Sequence, residues 1–240
     1  MTVELNALET TRFGIVAAKV VDSTASPEAI AAAAHAKGVK MLTVRVDVGE
    51  LSRVHAFEAA GYQLMDTLVY YSRGLAELPS ARQLANGVTL RQATPEDAAS
   101  VASLAREAFA GYMGHYHADP RLNDAAADAA YVEWAEMSTS RVSPDAPVLL
   151  AEIARTVAGF LTLRRNSPDE MEIVLNAVGP ENQGKGLYTA LVAASLSLSR
   201  EAGADRIVTS TQINNYAVQR VWARLGFFHF RSCYTLHKWF

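Results

Sequence analysis

Residues 171–202 read MEIVLNAVGP ENQGKGLYTA LVAASLSLSR EA, and the reading of this stretch decides the fold. An apolar, β-branched run gives way to a polar loop carrying Gly184 and Gly186, then to a long helical pattern. Glycines let a backbone approach a ligand closely, and the first-turn N–H groups of a helix lack intrahelical acceptors and point outward. Together they make an anion cradle suited to a phosphate. The loop has no Lys-Ser/Thr ending, and its glycines are too few and wrongly spaced for a dinucleotide fingerprint. Nucleotide hydrolysis and hydride transfer are therefore poor readings. By itself the loop also fits an ordinary strand-to-helix turn.

A second signal stands downstream in Asn215-Tyr216-Ala217-Val218-Gln219-Arg220-Val221-Trp222-Ala223-Arg224-Leu225-Gly226-Phe227. Asn215 has the chemistry of a helix cap, and Gly226 that of a left-handed helix stop before a strand. The two stretches together resemble the GNAT N-acetyltransferase superfamily. Its diphosphate motif Gln/Arg-x-x-Gly-x-Gly/Ala is matched by Gln183, Gly184, Lys185, Gly186, Leu187 and Tyr188, and its closing pattern Asn-x-x-Ala-x-x-x-Tyr-x-x-x-Gly-Phe by residues 215–227. The matches depart at Tyr188, where the family has a small residue, at Val218 for Ala, and at Trp222 for Tyr. The resemblance implies an α/β (α+β) fold: a mixed, mostly antiparallel sheet flanked by helices, with two adjacent strands splayed apart. It also implies acetyl-CoA as cosubstrate, its diphosphate on residues 183–188, its pantetheine arm along the main chain of Asn176, Ala177 and Val178, and the Asn215 amide against that arm.

The 240-residue chain is 50% hydrophobic and 20% charged, enough for one large core or two small ones. A formal net charge of -3 and a pI near 6.1 give no electrostatic footprint for nucleic acid or a membrane surface. One cysteine, Cys233, sits in an apolar strand pattern and reads as a core thiol in a reducing compartment. The amino terminus lacks a basic region followed by an apolar one, and no apolar run approaches the roughly 20 residues of a membrane span. A cytoplasmic protein is expected.

In chain order, residues 13–21 read as a strand, and Ser26-Pro27-Glu28 opens an Ala-rich helix that ends near Gly38. A strand at 41–46, a helix at 50–60 and a strand pair at 62–72 follow. The order recurs: Gly38 to Gly61 and Gly203 to Gly226 are each 23 residues, a common offset of 165. Under that shift Leu42 falls on Ile207, Phe57 on Trp222 and Tyr62 on Phe227, which points to a degenerate internal copy. Gln183, Gly184 and Gly186 fall on Ala18, Val20 and Val21, so the amino-terminal half-domain is not expected to bind coenzyme. Residues 78–87 read as a linker with the boundary near Ala85, giving domains 1–85 and 86–240. The second is expected to run strand, two helices (starting near Thr94 and 123), three strands, helix, strand, helix, two strands.

The segment GYMGHYHADP RLNDAAADAA YVEWAEMS at 111–138 is similar to the acceptor side of the dTDP-fucosamine branch of sugar-nucleotide N-acetyltransferases, which also opens with a Phe-Gly pair like Phe13-Gly14. That resemblance implies an acceptor contacted by His115, Tyr116, His117, Asp119, Tyr131 and Trp134, namely a nucleotide-linked deoxy amino sugar, and a homodimer. Aromatics at i and i+3 on a helix equally fit a core. Amide formation needs a base, because an amine is mostly ammonium near neutrality. Glu172 resembles the base of the histone-acetylating branch; the other reading is a solvated strand residue. His117 is the rival base, or a hydrogen-bonded loop anchor. His115 and His117 lack a third ligand, so no metal is expected. Trp222 stands where many family members carry the tyrosine that protonates the thiolate, and an indole cannot replace it. Another small amine as acceptor, or a module that binds acyl-CoA without turnover, remains open.

Overall fold

The computed structural model describes residues 2–22, 24–79 and 87–240. In chain order these form β1 (Val3–Leu5), α1 (Ala7–Phe13), β2 (Ala17–Val20), α2 (Pro27–His35), β3 (Met41–Asp47), α3 (Leu51–Ala59), β4 (Gln63–Gly74), β5 (Val88–Gln92), α4 (Ala98–Ala108), α5 (Asp124–Ser140), β6 (Val148–Ile153), β7 (Thr156–Ser167), β8 (Glu170–Val178), α6 (Leu187–Glu201), β9 (Arg206–Gln212), α7 (Tyr216–Arg224) and β10 (Phe228–Trp239). Short 3-10 turns at Pro95–Asp97 and Pro180–Asn182 lead into α4 and the glycine loop. Among the described pairings β1–β2, β3–β10, β5–β6, β6–β7 and β7–β8 are antiparallel and β2–β3 and β8–β9 parallel, so the class is the expected mixed, mostly antiparallel α/β arrangement.

Local chemistry sets the helix starts. Ser26 Oγ accepts the Ala29 N–H ahead of Pro27, and Asp97 and Thr94 form a capping box before α4. At the start of α5, Asn123 Oδ1 accepts the Ala126 N–H. Two starts differ from the sequence reading. Residues 13–21 are not one strand: Asn6 caps a seven-residue helix that ends at Gly14 with φ 65°, and β2 begins at Ala17. The Phe-Gly pair closes a helix. The expected strand pairs near 62–72 and after Gly226 are instead the single 12-residue strands β4 and β10.

The chain forms two compact units, and neither is a contiguous half. One holds residues 1–69, 113–127 and 231–240; the other holds 70–112 and 128–230. A cut near Ala85, itself outside the described residues, differs from this because the ends of β4 and β10 and the 113–127 loop leave their own half of the sequence. In the first unit the strand order is β1-β2-β3-β10, with Cys233–Trp239 antiparallel to Asp47–Met41. Ile30, Ala34, Val54 and Phe57 of α2 and α3 bury one face of that sheet against Leu42, Val44 and Leu236. In the second unit the order β9-β8-β7-β6-β5 has α6 and α7 on one face, around Leu191, Leu196 and Trp222. On the other face α4 and α5 pack through Leu104, Ala105, Tyr131 and Ala135 onto Leu150, Phe160 and Leu175.

The internal copy is visible element by element. Adding 165 carries β3 onto β9, α3 onto α7 and β4 onto β10, end to end. The helix stops carry the same hydrogen bonds: Gly61 N–H to Glu58 and Tyr62 N–H to Phe57 match Gly226 to Ala223 and Phe227 to Trp222. Strand register then corrects the sequence alignment upstream. Ala17 pairs Met41 as Glu170 pairs Arg206, so β2 matches β8 at 170 − 17 = 153 rather than 165. The first copy is thus 165 − 153 = 12 residues shorter between its two parallel strands. The alignment of Gln183, Gly184 and Gly186 with Ala18, Val20 and Val21 therefore does not hold, since the latter three lie in or just after β2.

Candidate active site

In the second unit β8 and β9 run parallel and paired from Glu170↔Arg206 to Ile173↔Thr209, and then part. β8 continues to Val178 and β9 to Gln212. The parting starts at a register shift on β8: Leu163 pairs Ile173 but Thr162 pairs Leu175, which leaves Val174 as the extra residue. Thr162 Oγ1 takes the Leu175 N–H at 3.0 Å and steadies the bulge. Asn176, Ala177 and Val178 still pair with Leu161, Phe160 and Gly159 on β7, so their free edge is the one turned to the gap. This is the expected splay.

The gap ends under the glycine loop. Gly184 (φ 74°) and Gly186 (φ 82°) are left-handed, and a Cβ on either would meet nothing within 4 Å. Backbone shape, not crowding, requires glycine at both. Residues 183–186 are exposed while Leu187 is buried, which fixes the start of α6 and leaves the loop open. No side chain caps α6, and its first internal bond is Ala190 N–H to the Gly186 carbonyl. The first-turn amides therefore face outward with the positive end of the helix dipole, and the Lys185 ammonium, held at 3.0 Å by Asn182 Oδ1, adds charge beside them. Across β7, Gly159 lets the end of β8 and α6 close in: a Cβ there would lie 3.2 Å from the Ala177 carbonyl and from Leu191 and Val178 side-chain carbons.

The far wall is the β9–α7 turn. Asn215 does not cap α7; its amide donates to Thr211 Oγ1 at 3.1 Å. Gln219 takes over the turn by donating to the Gln212 and Ile213 carbonyls and accepting from the Tyr71 hydroxyl. Gln212 accepts from Tyr112. Sequence reading missed Gln212 and Gln219; the polar run Thr211-Gln212 closing an apolar strand was the available signal.

The candidate chemical groups fare differently. Glu172 lies opposite Arg164 on β7, and Arg164 Nη2 contacts its Oε2 at 2.5 Å, so it is an ion-paired strand residue in the part of β8 that is still paired. Trp222 is fully buried and donates Nε1–H to the Tyr188 hydroxyl at 2.9 Å. Burial pushes the Tyr188 phenol well above its ordinary range, against the lowering effect of the indole bond, so it stays protonated. Tyr216 is 64% exposed. Tyr131 is core: its ring stacks on Phe109 at 4.9 Å and meets Tyr112 edge-on. Trp134, three residues on, is 37% exposed.

The remaining acceptor-side candidates lie in the first unit and are engaged within it. Asp119, 1% exposed, accepts from His237 Nδ1–H and Trp239 Nε1–H, both at 2.8 Å, rather than from His117. Burial opposes ionisation of Asp119, but these bonds outweigh it and hold the carboxyl at about 2. His237 Nε2 lies 3.0 Å from His115 Nδ1, and one of the two nitrogens donates to the other. Burial lowers the His115 pKa and keeps its ring neutral. Tyr116 donates to Glu9 at 2.8 Å. His117 Nδ1 accepts the Gly114 N–H at 3.3 Å, a loop anchor whose neutral tautomer carries its proton on Nε2. Among the described residues no group of three metal-binding side chains occurs, and no helix is long and apolar enough to cross a membrane.

The sequence profile of the acetyltransferase (GNAT) domain matches residues 88–228, more than half of the chain. The chain belongs to the GNAT family. A Bacillus subtilis relative, the spore coat polysaccharide biosynthesis protein SpsD, is 32% identical over 148 residues, 60% of this chain and 48% of that protein. The mycothiol acetyltransferase of Actinosynnema mirum is 28% identical over 161 residues, 67% of this chain and 51% of that protein. This GNAT chain spans about half the length of those relatives. A GCN5-related N-acetyltransferase from Sphaerobacter thermophilus shares the fold at TM-score 0.71 and 15% identity, over 99% of this chain and 76% of that one. A tandem GNAT protein of the clavulanic acid biosynthesis pathway does so at TM-score 0.63 and 17% identity, over 93% and 75%.

Proposed function

We propose that the chain is an acetyl-CoA-dependent N-acetyltransferase whose acceptor is the amine of a dTDP-linked deoxy amino sugar. The observation that carries the donor half is the open loop at 183–186, whose glycines are left-handed with vacant Cβ positions and whose amides lead into an uncapped helix. A diphosphate fits that chemistry. The free edge of Asn176–Val178 suits the amide-bearing pantetheine arm, which would add to the sheet as a further strand does, with Asn215 across the gap. When bound, acetyl-CoA supplies an activated acyl group. The chain's residues have to orient the acceptor, accept its proton and exclude water. Glu172 is the proposed base, its carboxylate oriented by Arg164.

The sugar half rests on the polysaccharide-pathway relative and on Trp134, which offers an exposed flat ring to a sugar or base. Thiol release from acetyl-CoA across a panel of dTDP-amino sugars, amino acids and polyamines tests it. Release with the sugars supports the reading; release with another amine alone replaces the acceptor; calorimetric uptake of acetyl-CoA with no release under any acceptor favours a binding module, the reading that Trp222 at the phenol position keeps alive.

A further inference from the structure

We infer, on the acetyl-CoA reading above, that Tyr112 and Gln212 form a bar across the acyl end of the β8–β9 gap and restrict the donor to a short acyl group. Both residues belong to the second unit. The Tyr112 hydroxyl donates to Gln212 Oε1, which joins the loop after α4 to the last residue of β9.

The level of the bar follows from strand register. With its diphosphate at residues 183–186, beyond Val178, an arm laid along Asn176–Val178 brings its thioester end to Asn176. The last β8–β9 pair is Ile173↔Thr209, and three residues further along each strand come Asn176 and Gln212. The bulge gives β8 the extra residue Val174, so Gln212 lies level with Asn176 and Ala177. The acyl group is then bounded on two sides. Ahead of it the strands rejoin, where Thr209, 1% exposed, donates its hydroxyl to the Ile173 carbonyl at 3.3 Å. Beside it, on the face covered by α4 and α5, lies the bar: Leu175, Ala177 and Tyr112 pack in one apolar cluster.

Both ends of the bar are held. The Tyr112 ring meets Phe109 edge-on at 5.6 Å and Tyr131 at 5.2 Å, and its N–H bonds the Phe109 carbonyl at 2.9 Å. Gln212 is 9% exposed, and its carbonyl takes the Asn215 N–H at 3.0 Å and the Gln219 amide at 3.4 Å. Gln219 is held in turn by the Tyr71 hydroxyl at 3.3 Å. An acetyl group ends in one methyl. Each further methylene has to enter the space of the bar or part a half-buried phenol from its acceptor, which leaves polar groups without partners. A purely apolar wall would accommodate an alkyl chain; a bonded polar pair rejects it.

The test is calorimetry on the full-length protein with free coenzyme A, acetyl-CoA and butyryl-CoA as probes, and it needs no acceptor. Wild type is expected to bind butyryl-CoA about tenfold or more weakly than acetyl-CoA. In Gln212→Ala the bar loses its far end, and that ratio is expected to fall to about threefold or less. Tyr112→Phe breaks the bond but keeps the ring, so its ratio falls between the two. Any general loss of affinity cancels in the ratio. A ratio that neither variant changes overturns the inference, as does equal weakening of all three probes in Gln212→Ala, which would make that side chain a wall of the arm. If wild type takes up none of the probes, the functional reading itself fails; if it binds butyryl-CoA as tightly as acetyl-CoA, the inference alone fails.

Discussion

At the scale of single residues, the buried acid Glu9 is the most exposed to test. It is 5% exposed, one carboxyl oxygen accepts from Tyr116, and the other has no partner among the described residues. Burial raises its pKa above 4.5, opposed by the Tyr116 bond and by His237, Arg45 and Arg12. The sign follows: the folded state binds this proton more tightly than the unfolded chain, so stability is lost as pH climbs from 4.5 through the raised value. Glu9→Gln keeps an acceptor for Tyr116 and removes the charge. Its melting temperature is expected to exceed wild type at pH 7.5 and to match it near pH 4; a uniform loss at both would mean an ionised Glu9 serves Arg12 and Arg45. For Glu172 the expected outcome of Glu172→Gln is a turnover loss of about 100-fold. Retained turnover would leave it as Arg164's partner alone. Residue roles of this kind were only half legible. The glycine pair announced an open loop ahead of a helix, but the Trp222–Tyr188 bond joins positions 34 apart and the Asp119–His237 bond positions 118 apart, which no periodicity reports.

At the scale of elements, most strands and helices were written in caps and stops. Ser26, the Thr94–Asp97 box and the four glycines at 38, 61, 203 and 226 mark ends that a sequence states outright. α1 was missed because seven residues are too few for a period to accumulate. β4 was split because Asp66 and Thr67 look like a turn in the middle of a 12-residue strand. The α6 start lends itself to a matched pair of variants. Gly186 and Gly203 flank that helix, both left-handed and both with room for a Cβ. Alanine at either should cost about 1–2 kcal/mol of stability. Only Gly186→Ala should also weaken coenzyme A binding, by about tenfold or more; an equal change in affinity for Gly203→Ala would mean the loop is not the cradle.

At the scale of the molecule, each unit is finished by the tail of the other copy. β3 takes its second neighbour from Cys233–Trp239, and the end of β4 belongs with the second unit. The sequence disclosed the duplication but not this crossing, since an offset of 165 is the same whether the last strands stay home or trade places. A protein cut at residue 86 should therefore leave residues 233–239 as an unpaired apolar edge. Size-exclusion chromatography is expected to show aggregates, with amide exchange in that strand far faster than in the intact chain. A monomeric, fully protected fragment would contradict it.

That crossing also sets a timetable for synthesis. Asp47 leaves the ribosome 233 − 47 = 186 residues before Cys233, its partner. At ~5–20 residues per second that is roughly 10–40 s during which a finished, greasy strand has one side bare. Until then the newborn amino-terminal sheet keeps an open edge, and it closes only once residues 233–239 have been made.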